Sequence, residues 1–136
     1  MASQKILVIE DDRSLIDVLQ YNLTQAGYEV STAMDGHSGY EKAVQTHPDL
    51  ILLDLLMPEM DGFEFIEQLQ GNRQWRSIPV IVVTAKDLDE SERQCLQGRV
   101  RRVVAKGARS RDEILAELKL IINDRRRSTP DQETAP

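Results

Sequence analysis

Residues 49–62 read DLILLDLLMPEMDG. Leu50–Leu53 is an unbroken apolar run of strand length, with no polar alternation along it. A run of that kind fits a strand covered on both faces. It ends on Asp54, and more apolar residues follow at once. An ionised carboxylate inside such a stretch is costly unless a cation or hydrogen bonds compensate it. Asp54 therefore needs companions, and the rest of the chain has to supply them.

Working outward, short apolar runs alternate with amphipathic segments from one end to the other. Lys5–Ile9 contains ILVI, and in Ser14–Ala26 the residues Leu15, Val18, Leu19 and Leu23 share one helical stripe, closed by Gly27. The alternation recurs as 28–33 then 38–45, 50–53 then 63–69, 80–83 then 89–96, and 100–105 then 112–122. Five β–α units result. Parallel strands need crossovers, and right-handed crossovers place helices on both sheet faces. The predicted fold is α/β, a doubly wound five-stranded parallel sheet in the flavodoxin-like (βα)5 order 2-1-3-4-5.

A chain of 136 residues fits one domain able to bury a core without disulfides or a structural metal. The expected domain is 1–123, and RRRSTPDQETAP, within a polar stretch over 124–136, reads as a flexible tail. Cys95 stands alone, so neither an internal disulfide nor a cysteine metal cluster is expected, in keeping with a reducing compartment. MASQKILVIEDD lacks the features of a secretory leader, and about 18 apolar residues never run together. The expected location is the cytoplasm, with no membrane segment. Residues 1–68 hold 13 acids against 3 bases and residues 69–136 hold 10 against 14, within a net charge of −6. The basic excess reads first as a solvated face and charged tail, and second as a docking patch.

In such a sheet, ligands bind at the carboxyl ends of the strands. Strand 1 ends in Glu10, Asp11 and Asp12, strand 3 in Asp54, strand 4 in Thr84 and strand 5 in Lys106. Taken singly, each has an ordinary reading: loop acids ahead of a helix, a strand-end hydroxyl, a solvated lysine. Together they gather at one end of four adjacent strands. Converging carboxylates need a counter-ion, and hard oxygen ligands with room for water suit Mg²⁺, which commonly completes its shell with phosphate oxygens. A lysine and a hydroxyl beside the metal supply what phosphoryl transfer requires, and a carboxylate can act as the nucleophile.

ILVIEDD, DLILLDLLMPEMDG, PVIVVTA and the later lysine resemble the receiver domain of two-component response regulators. The likeness covers residues 4–123. The intervals are 43 residues from Asp11 to Asp54, 30 from Asp54 to Thr84 and 22 from Thr84 to Lys106. The resemblance implies that Glu10 and Asp11 are the paired acids of an Mg²⁺ site, with Asp12 just outside it. It also implies that Asp54 is the phospho-acceptor and metal ligand, and that the backbone carbonyl of Leu56 is a further ligand. Met57 and Pro58 fit the next two family positions. Thr84 and Lys106 would contact the phosphoryl group. The implied donor is a phosphohistidine on a histidine kinase or histidine phosphotransfer protein. The chain is thus expected to be a signalling protein rather than an enzyme, at most promoting its own phosphorylation and a slow dephosphorylation. No DNA-binding output domain is expected, since too little follows Ile122.

Three departures bear on how phosphorylation would be read out. Val103 stands where the family commonly has an aromatic, Gly107 replaces the proline after the lysine, and GRVRRVVAKGA replaces the usual small residues before strand 5. The ending AKGARSRDEILAEL is similar to receivers attached to hybrid sensor kinases. Leu56 and Lys86 stand two residues after Asp54 and Thr84, where an acid or amide could orient water, so slow self-dephosphorylation is expected.

Other functional classes fit less well. A dinucleotide-binding oxidoreductase would need a glycine-rich turn where the acids stand, and a haloacid-dehalogenase-type hydrolase would need an acid at Leu56. A histidine phosphotransfer protein would be helical, and His37 and His47 read as surface residues. The remaining alternative is a phosphorylation-independent protein-binding module on the same fold.

Overall fold

A computed structural model describes residues 4–57, 61–107 and 109–134, with 124–134 as backbone only. The elements in chain order are β1 (Lys5–Ile9), α1 (Arg13–Gln25), β2 (Glu29–Ala33), α2 (Gly36–Thr46), β3 (Leu50–Leu53), α3 (Gly62–Gln70), β4 (Val80–Thr84), α4 (Glu90–Leu96), β5 (Arg102–Ala105) and α5 (Arg111–Thr134). All strand pairs are parallel, in the order β2-β1-β3-β4-β5.

Alternate residues of β1, β3 and β4 serve opposite cores, as the period of two requires. Ile6, Val8, Leu50, Leu52, Ile81 and Val83 meet α1 and α5 through Leu15, Leu19, Leu23 and Leu118. Leu7, Ile9, Ile51, Leu53, Val80 and Val82 meet Phe65, Ile66 and Leu69 of α3 and Leu96 of α4. That double cover is why β1, β3 and β4 read as continuous apolar runs. Trp75 of the α3–β4 connection also joins the second core, a core residue that no periodicity marks.

Register fixes what emerges at the carboxyl ends. Ile9 pairs with Leu53 and Thr84 with Ala105, so Glu10, Asp54 and Lys106 are each the first residue beyond a strand. The fifth strand begins at Arg102 rather than Val100. Gly98 takes φ +82°, and the Arg99 and Val100 amides both donate to the Leu96 carbonyl, closing α4 and delaying the strand. α1, α2, α3 and α5 begin one or two residues earlier than expected, and Asp12, Asp35 and Asp61 cap the first three. The backbone of α5 continues to Thr134, past Ile122 and through residues whose polar composition reads as a tail. Pro58 lies outside the described residues, as do Met1–Ser3, Glu59, Met60, Ala108, Ala135 and Pro136.

Candidate functional site

Asp54 is set by β3 and tied across the sheet, its amide donating to the Ile9 carbonyl at 3.0 Å. The chain can turn tightly after it because α3 opens on a glycine. A Cβ at Gly62 would lie 2.6 Å from the Leu55 Cα and 2.8 Å from the Asp54 carbonyl oxygen. The Gly62 amide instead donates to the Leu55 carbonyl at 3.1 Å. Asp54 ends up 4% exposed. Its Oδ1 accepts the Leu56 amide at 3.1 Å and its Oδ2 meets the Lys106 Nζ at 3.2 Å.

Lys106 also reaches Glu10 Oε1 at 2.8 Å, so one ammonium spans both buried carboxylates. Glu10 is 3% exposed, and its Oε2 accepts the Asp12 amide at 3.1 Å. Burial pushes the Glu10 carboxyl up to about 7. The hydrogen bond from Lys106 opposes that rise, and the Asp54 charge adds to it. For Lys106, burial favours the neutral amine, but Glu10 and Asp54 together outweigh it and hold the ammonium's pKa above the usual lysine range. Asp11 is exposed at the mouth of the crevice, and one carboxylate oxygen from each of Glu10, Asp11 and Asp54 lies within 4.8 Å of the others. Three hard oxygen donors, two buried and one open to water, suit a divalent cation that keeps part of its hydration shell.

Thr84 is fully buried. Its carbonyl accepts the Lys106 amide at 2.8 Å and its Oγ1 accepts the Lys86 amide at 3.1 Å. It is thus joined to the lysine through backbone and to the β4–α4 loop through its side chain. Leu56 contributes its amide to Asp54, while its side chain is 47% exposed.

The Response regulator receiver domain family model matches residues 6–119. The chain belongs to that family. The alkaline phosphatase synthesis transcriptional regulatory protein PhoP of Bacillus subtilis is 45% identical over 85 residues, 62% of this chain and 35% of PhoP. Among solved structures, the phosphorylated cyanobacterial phytochrome response regulator RcpA superposes with a TM-score of 0.78 at 27% identity, covering 88% of this chain and 91% of that one. The magnesium-bound receiver domain of sensor histidine kinase PA1611 from Pseudomonas aeruginosa gives 0.71 at 30%, covering 87% and 96%. The receiver domain spans about a third or less of the first curated relatives it matches. No helix among its described residues is long and apolar enough to cross a membrane.

Several contacts around the receiver domain's site are not marked by sequence pattern. Asp12, expected just outside the paired acids, accepts the Ser14 and Leu15 amides and so caps α1. A capping box joins Asp89 and Glu92 at the start of α4, and the D-x-x-E spacing could have revealed it. Lys86 pairs with that same Glu92 at 3.1 Å. Arg109 ties the β5–α5 loop together by donating to the Ala105 carbonyl at 3.1 Å and pairing with Glu117. Gly107 sits in that loop at φ +49°, a conformation glycine adopts without a Cβ penalty.

Proposed function

We propose that Asp54 accepts a phosphoryl group from a phosphohistidine on a partner histidine kinase or histidine phosphotransfer protein, and that the modified domain changes its protein contacts. The observation that carries this reading is the burial of Asp54 beside Glu10, with a single lysine on both. The Asp54 carboxylate oxygen attacks phosphorus. The P–N bond of the donor breaks with its electrons left on the imidazole, which takes up a proton from water. Lys106 and the Thr84 hydroxyl then bind the phosphoryl oxygens, Lys106 exchanging a carboxylate oxygen for a phosphoryl one. Glu10, Asp11, Asp54 and the Leu56 carbonyl would hold Mg²⁺, which when bound neutralises charge developing on the phosphoryl oxygens.

The working unit is residues 1–123, and its place is the cytoplasm, where phosphohistidine donors and Mg²⁺ meet it. It acts as a switch rather than as a turnover enzyme. The exposed aliphatic Leu56 and the cationic Lys86 offer no base to orient water. The acyl phosphate is therefore slow to hydrolyse, and a half-life of seconds would overturn that part. Incubation with a small-molecule phosphodonor and Mg²⁺ should add a single phosphoryl group by intact mass. Persistence of the adduct in Asp54→Asn would refute the assignment. Partner binding that is equal for wild type and Asp54→Asn under phosphorylating conditions would favour a phosphorylation-independent docking module.

A further inference from the structure

We propose that Lys86 is a two-position latch, holding Glu92 at the start of α4 in the unmodified domain and passing to the phosphoryl group once Asp54 is modified. The inference rests on Asp54 being the acceptor and adds a route from that site to α4.

Lys86 is attached at both ends. Its amide donates to the Thr84 Oγ1 at 3.1 Å, fixing its backbone to the last residue of β4. Its ammonium lies 3.1 Å from Glu92 Oε2, with both side chains only partly exposed. Glu92 is itself central to the first turn of α4: Oε1 accepts the Asp89 amide at 3.0 Å, and the Glu92 amide donates to Asp89 Oδ1 at 2.8 Å. Lys86 therefore grips the residue that closes the capping box.

Two further features make this contact consequential. First, Lys86 and Glu92 line an open cleft of about 420 Å³ together with Leu55, Leu56 and Met57, the residues that directly follow Asp54. The ammonium, on a flexible four-carbon stem, borders an open volume that the residues directly after Asp54 also line. Second, α4 is the shortest helix, seven residues with Leu96 as its buried anchor. A helix of that length depends on its cap and contacts rather than on propagation.

Charge decides the direction of transfer. Glu92 offers one negative charge, whereas an acyl phosphate offers about −1.5 to −2 and three strong acceptors. Modification of Asp54 draws Lys86 off Glu92. Glu92 then stands beside Glu90 in the first turn without its cation, and the turn opens more often. The route uses neither an aromatic at Val103 nor a proline after Lys106, two of the features in which this chain departs from the pattern it resembles.

Hydrogen exchange across Glu90–Leu96 in the full chain tests the latch, with phosphoryl occupancy fixed by intact mass under a small-molecule phosphodonor and Mg²⁺. Phosphorylated wild type should exchange about two- to fivefold faster there than the unmodified protein, the size a partly exposed ion pair can supply. Lys86→Met should be fast before modification and gain nothing from it, and Lys86→Arg should restore the response. Glu92→Gln keeps an acceptor for the Asp89 amide but removes the charge, so it too should lose the response while retaining the helix. An adduct on wild type with unchanged exchange in α4 overturns the latch and leaves the acceptor standing. A Lys86→Met protein that still responds does the same. No adduct at all overturns both.

Discussion

Glu10 and Asp54 leave strands whose residues are almost all buried, β1 and β3, each flanked by strands on both sides. Lys106 leaves β5, an edge strand of which Val104 is buried while Arg102, Val103 and Ala105 are exposed. The acid side of the crevice is positioned by packing. The lysine side is positioned by polar tethers: the Thr84 carbonyl on the Lys106 amide, Arg109 on Ala105, and Lys106 on its own two carboxylates. Dense apolar packing tolerates little displacement, whereas a polar tether can exchange one partner for another. Asp54 thus lies on the densely packed side of the crevice and Lys106 on the side held by polar contacts.

The contrast can be broken by stability measurements. Phe65, fully buried under β3 and β4, should cost about 3–5 kcal/mol when cut to alanine. Val103, 43% exposed on β5, should fall within about 0.5 kcal/mol under the same change. Urea denaturation of the two variants compares them directly. Similar losses would mean that β5 is packed as firmly as the centre.

A second test concerns pH. Burial raises the folded-state pKa of Glu10 to about 7, above that of an unfolded glutamate, so the native state favours its protonated form. The stability this group contributes is present in full below the ordinary carboxylate range and is lost as pH rises through about 7. Lys106, shifted upward, loses its contribution only in strongly alkaline solution and does not overlap that window. A metal-free pH series should therefore show stability declining between about pH 4.5 and 7, and Glu10→Gln should flatten the slope. Because a cation competes with the proton, Mg²⁺ affinity should rise over the same interval in wild type, as followed by calorimetry. An unchanged pH profile in Glu10→Gln would assign the slope to other groups.

The fold was legible because β1, β3 and β4 are covered twice and so, Lys5 and Thr84 aside, are apolar along their length, the pattern of a parallel sheet with helices on both faces. Glu10, Asp54 and Lys106 meet for the same reason: residues at corresponding strand ends converge once the register is set. What stayed hidden depends on side-chain reach rather than on pattern. Which backbone amides Asp12 caps is one such detail. Lys86 and Arg109 look like surface charges until their partners are located. The edge strand was misjudged at its start because Val100 is apolar but belongs to the turn that closes α4.

Arg109 is the smallest lever on the comparison and the most specific to this chain. Where the family commonly has a proline, this loop has Gly107 in a left-handed conformation, so its geometry has to be held by something other than a ring. Arg109 holds it from two directions. Its amide donates to the Lys106 carbonyl at 3.0 Å, and its guanidinium reaches the Ala105 carbonyl and Glu117 of α5. Arg109→Ala removes the guanidinium contacts and keeps the amide one. These bonds are partly exposed, so the global stability loss should stay near 1 kcal/mol or less. Phosphoryl incorporation at Asp54 should slow about two- to fivefold if those bonds set where the ammonium rests. Arg109→Lys restores charge toward Glu117 without the two-pronged donor, and should recover stability more fully than rate. If rate and stability recover in step, Arg109 is only a staple between β5 and α5. A rate that stays low while stability returns makes it the residue that aims Lys106.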